Sequence, residues 1–260
     1  MFEKELQHYE DVRLEYERRL KKPMGEDVYR EYSEILFSTH SCAIEGNSFT
    51  IDDSRDLKEM GLAMIPKGRK LLECVEMADH FDAFEYVVNN VHLPLTEDFL
   101  KETNRRLTQH TLPYLAKDCI PGEYTNVDMA AGDTVFGDHE LLIARVPKLL
   151  ESTERTIVEE KFHPMVVAAR FHGFFEYLHP FRDGNGRTGR LMSNYILLRM
   201  GHPVFTVLLE ERQQYISALR RIRTDNTDEH LIAFFITAAT RHMEDELAQK
   251  RRNNRLAFMF

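Results

Sequence analysis

Cysteine is scarce: Cys42, Cys74 and Cys119 are the only three in 260 residues. Their number is odd, their spacing wide, and no CxxC pair exists. That excludes a disulfide framework and a cysteine zinc site, and fits a reducing compartment. Excess positive charge is lacking too: 34 Lys and Arg face 43 Asp and Glu, a net charge of -9 with a pI of about 5.8. A general nucleic-acid binder needs a basic face, so no nucleic-acid partner is expected, although local basic patches can still hold phosphate. No apolar run is long enough to span a bilayer, and Met1–Glu5 is charged at once, without the apolar core of a leader. The expectation is a cytoplasmic protein with no membrane partner. The twelve histidines show no HExxH-like spacing, which leaves a zinc hydrolase without support. Repeats, low-complexity tracts and linkers are absent as well.

What is present is helical patterning. The 43 % hydrophobic and 30 % charged content suits a sizeable core under helical surfaces. Phe2, Leu6, Tyr9, Val12, Tyr16 and Leu20 recur at three- and four-residue steps, so an amphipathic helix is expected to run until Pro23 and Gly25 end it. A second helix is expected over residues 26–45, stopped by Gly46. Thr50 with Asp53 reads as a capping pair, and Thr96 as the cap of a later helix. Further helices are expected over residues 68–90, from Glu140, His163, Asn185 and Glu210, and over residues 228–251. Between Leu112 and His139 the texture changes to Gly, Pro, Asp, Asn and Thr, which predicts loops and a small hairpin. An all-α fold follows.

The most unusual stretch is His179-Pro180-Phe181-Arg182-Asp183-Gly184-Asn185-Gly186-Arg187-Thr188-Gly189-Arg190, between two helix-length segments. Gly184 and Gly186 can take positive φ and leave room for a ligand. Amides at the start of the next helix add the positive end of its dipole, which makes an anion cradle. Arg187 and Arg190 oppose that dipole, and a phosphate ligand explains them. Asp183 beside phosphate calls for a divalent cation, and Mg²⁺ is held by one or two carboxylates plus phosphate oxygens. His179 has the chemistry of a general base. The stretch also matches GxGxxG, but a dinucleotide fold needs a strand before it. A structural turn with solvated arginines is the plainest alternative.

The pattern HxFx(D/E)GNGRxxR, filled at every fixed position by residues 179–190, resembles the Fic family. His163-Pro164, Ala168-Ala169, His172, Phe175-Glu176 and Asn194 resemble its usual surroundings. The similarity covers roughly residues 94–223, with a weaker match upstream. The resemblance implies one all-α domain over 1–260. Helices of 1–93 would include an inhibitory helix at about 26–46, ahead of a catalytic core over 94–223 and a C-terminal helix over 224–260. It implies transfer of AMP from ATP to a Tyr, Ser or Thr hydroxyl of a target protein that the sequence does not identify, self-modification being one option. His179 would deprotonate the hydroxyl and Asp183 would hold Mg²⁺. Gly184, Asn185 and Gly186 would line the cradle, and Arg187 and Arg190 would meet the β and γ phosphates. Phe181 would be buried and fix the loop, and Tyr215 would lie near adenine and ribose. The Doc toxins, relatives that phosphorylate, carry Lys where this chain has Gly186, which favours AMP transfer here. Relatives using UTP or CDP-choline share the loop. Residues 124–139 fall where the family has a hairpin flap that aligns target peptides, but the Arg common near its start is missing from Gly122-Glu123-Tyr124-Thr125.

Ser41-Cys42-Ala43-Ile44-Glu45-Gly46 fits (S/T)xxxE(G/N), which in the family ends an inhibitory helix. A helix C-terminus is a poor place for Glu without a cationic partner. The expectation is that Glu45 pairs with Arg190, displaces the γ-phosphate and leaves ATP in an unproductive pose. Hydrolytic removal of AMP from a modified protein would use the same residues; a nucleotide-sensing module without chemistry is a third reading, against which the intact His179 and Asp183 argue, since a sensor needs no general base. Arg220, Arg221 and Arg223 read as a solvated helix face. The apolar Phe258-Met259-Phe260, together with the association of many relatives, points to a homo-oligomer.

Overall fold

The computed structural model describes residues 2–63, 65–131, 134–136 and 138–257, with side chains left aside at 131, 134–135 and 253–257. The apolar tail 258–260 lies outside the described residues. The fold is all-α. Helix α1 (Glu3–Tyr16) passes through a π turn (Glu17–Lys21) into the short α2 (Lys22–Met24). Pro23 therefore sits within the helical path, and Gly25, at φ 84°, is what ends it. Proline has no N–H to give the Arg19 carbonyl, and Lys250 Nζ donates to that oxygen at 2.5 Å instead.

Helices α3 (Glu26–Ile44), α4 (Ile51–Met60), α5 (Leu71–Asn89) and α6 (Glu97–Thr108) follow where the sequence places them. Thr50 and Asp53 close a reciprocal capping box on α4, and Thr96 Oγ1 accepts from Phe99 N at the start of α6. The loop-rich stretch holds a one-turn α7 (Leu112–Leu115) and a two-stranded antiparallel pair, β1 (Ala130–Ala131) and β2 (Thr134–Val135). The chain ends with α8 (Leu142–Glu159), α9 (Pro164–Leu178), α10 (Asn185–Arg199), α11 (Arg212–Thr224) and α12 (Glu229–Ala257). No described helix is long and apolar enough to cross a membrane.

Helix α10 is the axis of the molecule. Apart from Gly186, every residue from Asn185 to Leu197 is buried, polar side chains included. It packs mainly on α9, and more lightly on α3, α5 and α6. The α9–α10 crossing is close because Gly189 has no side chain: a Cβ there would stand 2.7 Å from His172 Nδ1 and 3.0 Å from Glu176 Oε1. Around this pair lies one apolar cluster that includes Tyr9 of α1, Phe84 of α5, Leu100 of α6, Phe175 of α9 and Phe235 of α12. Helix α1 is further fastened through Tyr9 Oη to His202 Nδ1 at 3.0 Å, and through Glu10 Oε1 to His163 Nε2 at 2.9 Å.

Burial holds four histidines neutral: His80 is pushed down to about 3, and His172, His202 and His242 to about 4. Each folded value lies below the ordinary 6.5, so the unfolded chain takes up more protons once pH drops below that value. Stability present at neutral pH is therefore lost as pH falls from 6.5 toward 4, by up to about 1.4 kcal/mol per pH unit for each histidine. Urea unfolding is expected to show a midpoint that falls steadily across this window. A midpoint that stays flat would contradict the neutral buried state.

Candidate active site

The loop joining α9 to α10 is built by two reversals of the backbone. His179 closes α9 in the left-handed region, φ 50° and ψ 58°, with its N–H on the Phe175 carbonyl at 2.9 Å. A non-glycine residue held there costs about 1–3 kcal/mol, which the surroundings must offset. Phe181, 1 % exposed, anchors the loop in the core. Asn185 grips its backbone from both sides, accepting from Phe181 N at 2.9 Å and donating to Phe181 O at 2.7 Å. Thr125 N donates to the Pro180 carbonyl at 2.8 Å, and Tyr124 bridges to Phe181. Gly184 then caps α10, whose first amides have no intrahelical acceptor.

These amides open on a cavity of about 420 Å³, bordered by residues 184–187, His179, Asp183, Glu45 and Glu76. That is the size of a small-ligand site. Arg187 is almost fully enclosed, its Nη1 2.5 Å from Glu76 Oε1 and its Nη2 2.9 Å from Asp183 Oδ2. Arg190, 3 % exposed, donates to the Ser41 carbonyl at 2.8 Å, to Ser41 Oγ at 3.1 Å and to Glu45 Oε1 at 2.8 Å. Arg212 Nε caps the same helix end at the Ile44 carbonyl, 2.7 Å away. The cation that Glu45 needed at the C-terminus of α3 is thus present. Gly186 makes the pairing sterically possible, since a Cβ there would lie 2.3 Å from Glu45 Oε1.

The structure brings His179, Asp183, Gly184, Asn185, Gly186, Arg187 and Glu45 to one cavity. Arg190 lies just beneath, covered by Glu45. Tyr215, expected beside adenine and ribose, does not border the cavity. It is buried behind Arg190, with its Oη 2.5 Å from His172 Nε2 and 3.4 Å from Arg190 Nη1. Arg223 corrects the reading of a solvated face. Its Nη2 donates to the carbonyls of Glu176 and Tyr177 at the end of α9, and its guanidinium covers the Phe136 ring. On the cleft side, the Phe136 ring stacks on the His179 imidazole at 3.7 Å.

Sequence reasoning passed over two residues of the site. Glu76, from α5, supplies the second carboxylate on Arg187. Asn104, from α6, donates to the Asp183 carbonyl at 3.0 Å and to Thr188 Oγ1 at 3.1 Å, and so sets the turn. Neither belongs to a local motif, since each reaches the loop from a distant helix. Asp183 is 32 % exposed and, among the described residues, joins no cluster of three metal-ligating side chains. Its donor chemistry fits Mg²⁺ if phosphate oxygens and water complete the shell.

Comparison with known proteins agrees with this arrangement. The Fic/DOC family model matches residues 94–197. The protein adenylyltransferase Fic of Nematostella vectensis is 30 % identical over 215 residues, covering 76 % of this chain and 45 % of that protein. The chain thus spans under half the length of the curated relatives it matches. Among solved structures, a Fic domain containing signaling protein from Bacteroides thetaiotaomicron superposes with a TM-score of 0.74 at 19 % identity, over 94 % of each chain. Fic-1 from C. elegans gives 0.75 at 20 % identity, over 96 % of this chain and 73 % of that one. The loop, the helical frame and the matched residues agree, and the chain belongs to the Fic/DOC family.

Proposed function

We propose that this protein is an adenylyltransferase that moves AMP from ATP to a Tyr, Ser or Thr hydroxyl of a target protein and is held in check by Glu45. The observation that carries the reading is the convergence on one cavity of His179, Asp183 and a helix N-terminus with Arg187, with Arg190 directly beneath it. His179 takes the hydroxyl proton as the oxygen attacks the α-phosphorus. The bond to the bridging oxygen breaks, and pyrophosphate leaves. The amides of residues 184–187 and the guanidinium of Arg187 stabilise the phosphate charge, and Arg190 receives the γ-phosphate once it is uncovered. Asp183 holds Mg²⁺, which when bound neutralises charge on the phosphates.

With Glu45 seated, the cavity is electrostatically wrong for ATP. Its border carries Glu45, Glu73, Glu76 and Asp183 against Lys70, Arg182 and Arg187, and the pocket of Arg190 is filled. Glu45 is 40 % exposed, so its carboxylate can leave without unfolding α3. The relatives named protein adenylyltransferase support the transfer chemistry. Partners of the site are then ATP, Mg²⁺ and an acceptor protein, which can be a second copy of the chain.

Incubation with Mg²⁺ and ATP labelled at either the α- or the γ-phosphate tests this. Label from α-ATP alone is expected, raised roughly 5- to 150-fold in Glu45→Gly, the range of a 1–3 kcal/mol coupling. His179→Ala in that background should lower it by about 10²–10⁴. Transfer of γ-label, or no gain in Glu45→Gly, would overturn the reading. In a separate check on the metal, excess EDTA and Asp183→Ala are each expected to abolish labelling in Glu45→Gly. Labelling that survives both would remove Mg²⁺ from the scheme.

A further inference from the structure

Among the described residues, six side chains carry a buried polar atom without a hydrogen-bond partner: His80, Tyr124, His172, Glu176, His179 and Arg187. Such an atom has lost its water without gaining a protein partner. Three of the six, His172 Nδ1, Glu176 Oε1 and His179 Nδ1, belong to the second half of α9 and its C-cap. Arg190 Nη1 reaches Tyr215 Oη at 3.4 Å, and Tyr215 Oη meets His172 Nε2 at 2.5 Å. A Cβ on Gly189 would meet both His172 Nδ1, at 2.7 Å, and Glu176 Oε1, at 3.0 Å. Glu176 Oε2 lies 3.5 Å from His179 Nδ1.

We propose that Glu176 is the positioning residue of His179, and that Glu176, His172 and Tyr215 form a buried polar relay that ties the general base to Arg190. Proton bookkeeping gives the relay a direction. Arginine only donates, so the Tyr215 oxygen accepts from it and turns its own hydrogen to His172 Nε2. A neutral His172 then carries its proton on Nδ1, the side that faces Glu176. His179 completes the pattern with Nδ1–H toward Oε2, which leaves the Nε2 lone pair for the substrate hydroxyl. Glu176 thus has an imidazole on either side, His179 at 3.5 Å and His172 acting on it electrostatically.

The carboxylate suits the task. Its side chain is 13 % exposed. Burial pushes its pKa up, but His179, His172 and Arg190 outweigh that push and hold it below the ordinary carboxylate value. Glu176 therefore remains an acceptor. The ring of His179 is flanked by Phe136, so the carboxylate and the stack together fix both tautomer and tilt. The distance of 3.5 Å is long for a hydrogen bond, as is common for catalytic pairs before substrate arrives.

The role of His179 as base rests on the adenylyl-transfer reading, whereas its tautomer does not. The test therefore has two arms on the full chain. Long-range ¹H–¹⁵N NMR of ¹⁵N-histidine protein reads the tautomers directly, and steady-state labelling in the Glu45→Gly background reads the reaction. The proton of His179 is expected on Nδ1. Glu176→Gln is expected to mix the tautomers and to lower kcat at least ~10-fold with KM for ATP unchanged, and Glu176→Asp should recover part of kcat. Tyr215→Phe removes one oxygen and should release the His172 proton from Nδ1, which keeps the relay testable if the Gln variant folds poorly. Tautomers unchanged in both Glu176→Gln and Tyr215→Phe would overturn the relay. So would equal losses in kcat and KM with a lowered melting temperature, the mark of a packing role. An inactive parent would count against transfer alone, and the tautomers would then decide.

Discussion

A guanidinium that cannot lose its proton is buried in the middle of this protein, and the site is organised around the anion it requires. Arg190 is 3 % exposed and lies on the most enclosed helix of the fold. Two of its donors are met by Ser41 and one by Glu45, all at the end of α3. Removing the carboxylate would leave the buried guanidinium with less compensation, although the 40 % exposure of Glu45 means that solvent screens part of that cost. Glu45 can therefore leave only if another anion arrives. Its 40 % exposure makes departure sterically easy, and the buried charge makes replacement obligatory. A phosphate group is the natural replacement, and in the proposed function Glu45 and the nucleotide would compete for one guanidinium.

That competition needs a rigid frame, and the packing of α10 supplies it. Glycine at 189 lets α9 approach closely, glycine at 186 lets Glu45 approach, and the buried Phe181 with Asn185 locks the connecting loop. His179 is held in a strained backbone conformation at the junction. The strain is tolerable because the loop on each side is pinned by backbone hydrogen bonds and a core aromatic. The same construction places the imidazole between a carboxylate from its own helix and an aromatic ring from the loop region.

How much of this the sequence disclosed follows from how local each feature is. The helices were legible because their apolar steps, caps and terminal glycines lie within a few residues of one another; Thr50 with Asp53 and Gly46 after Glu45 are examples. The loop 179–190 was legible for the same reason. Pro23 misled, since a π turn carries the helix past it and Lys250, more than two hundred positions away, satisfies the carbonyl it strands. Glu76, Asn104 and Arg223 were invisible as site residues because their partners are set by helix packing alone. Tyr215 shows a subtler gap. Its position on an amphipathic helix was readable, but whether it faced the nucleotide or the back of Arg190 depends on the depth at which α11 sits against α9.

Charge placement also bears on the direction of the reaction. ATP brings a triphosphate whose last group needs the pocket of Arg190, the one that Glu45 fills. An AMP-modified protein brings a single phosphate and makes no demand on that pocket. With Glu45 seated, the electrostatics therefore oppose the triphosphate far more than the monophosphate ester, because only the former must displace a carboxylate from a buried guanidinium. On the proposed adenylyl-transfer reading, the position of Glu45 would act on the choice between adding and removing AMP as well as on the rate. The contacts that hold Glu45 on Arg190 include the Arg212 cap on the end of α3, and under the same proposal they would bias the site toward the ester. A single ion pair at a helix terminus can in this way set both the activity and the sense of a site whose remaining residues are the same in the two reactions.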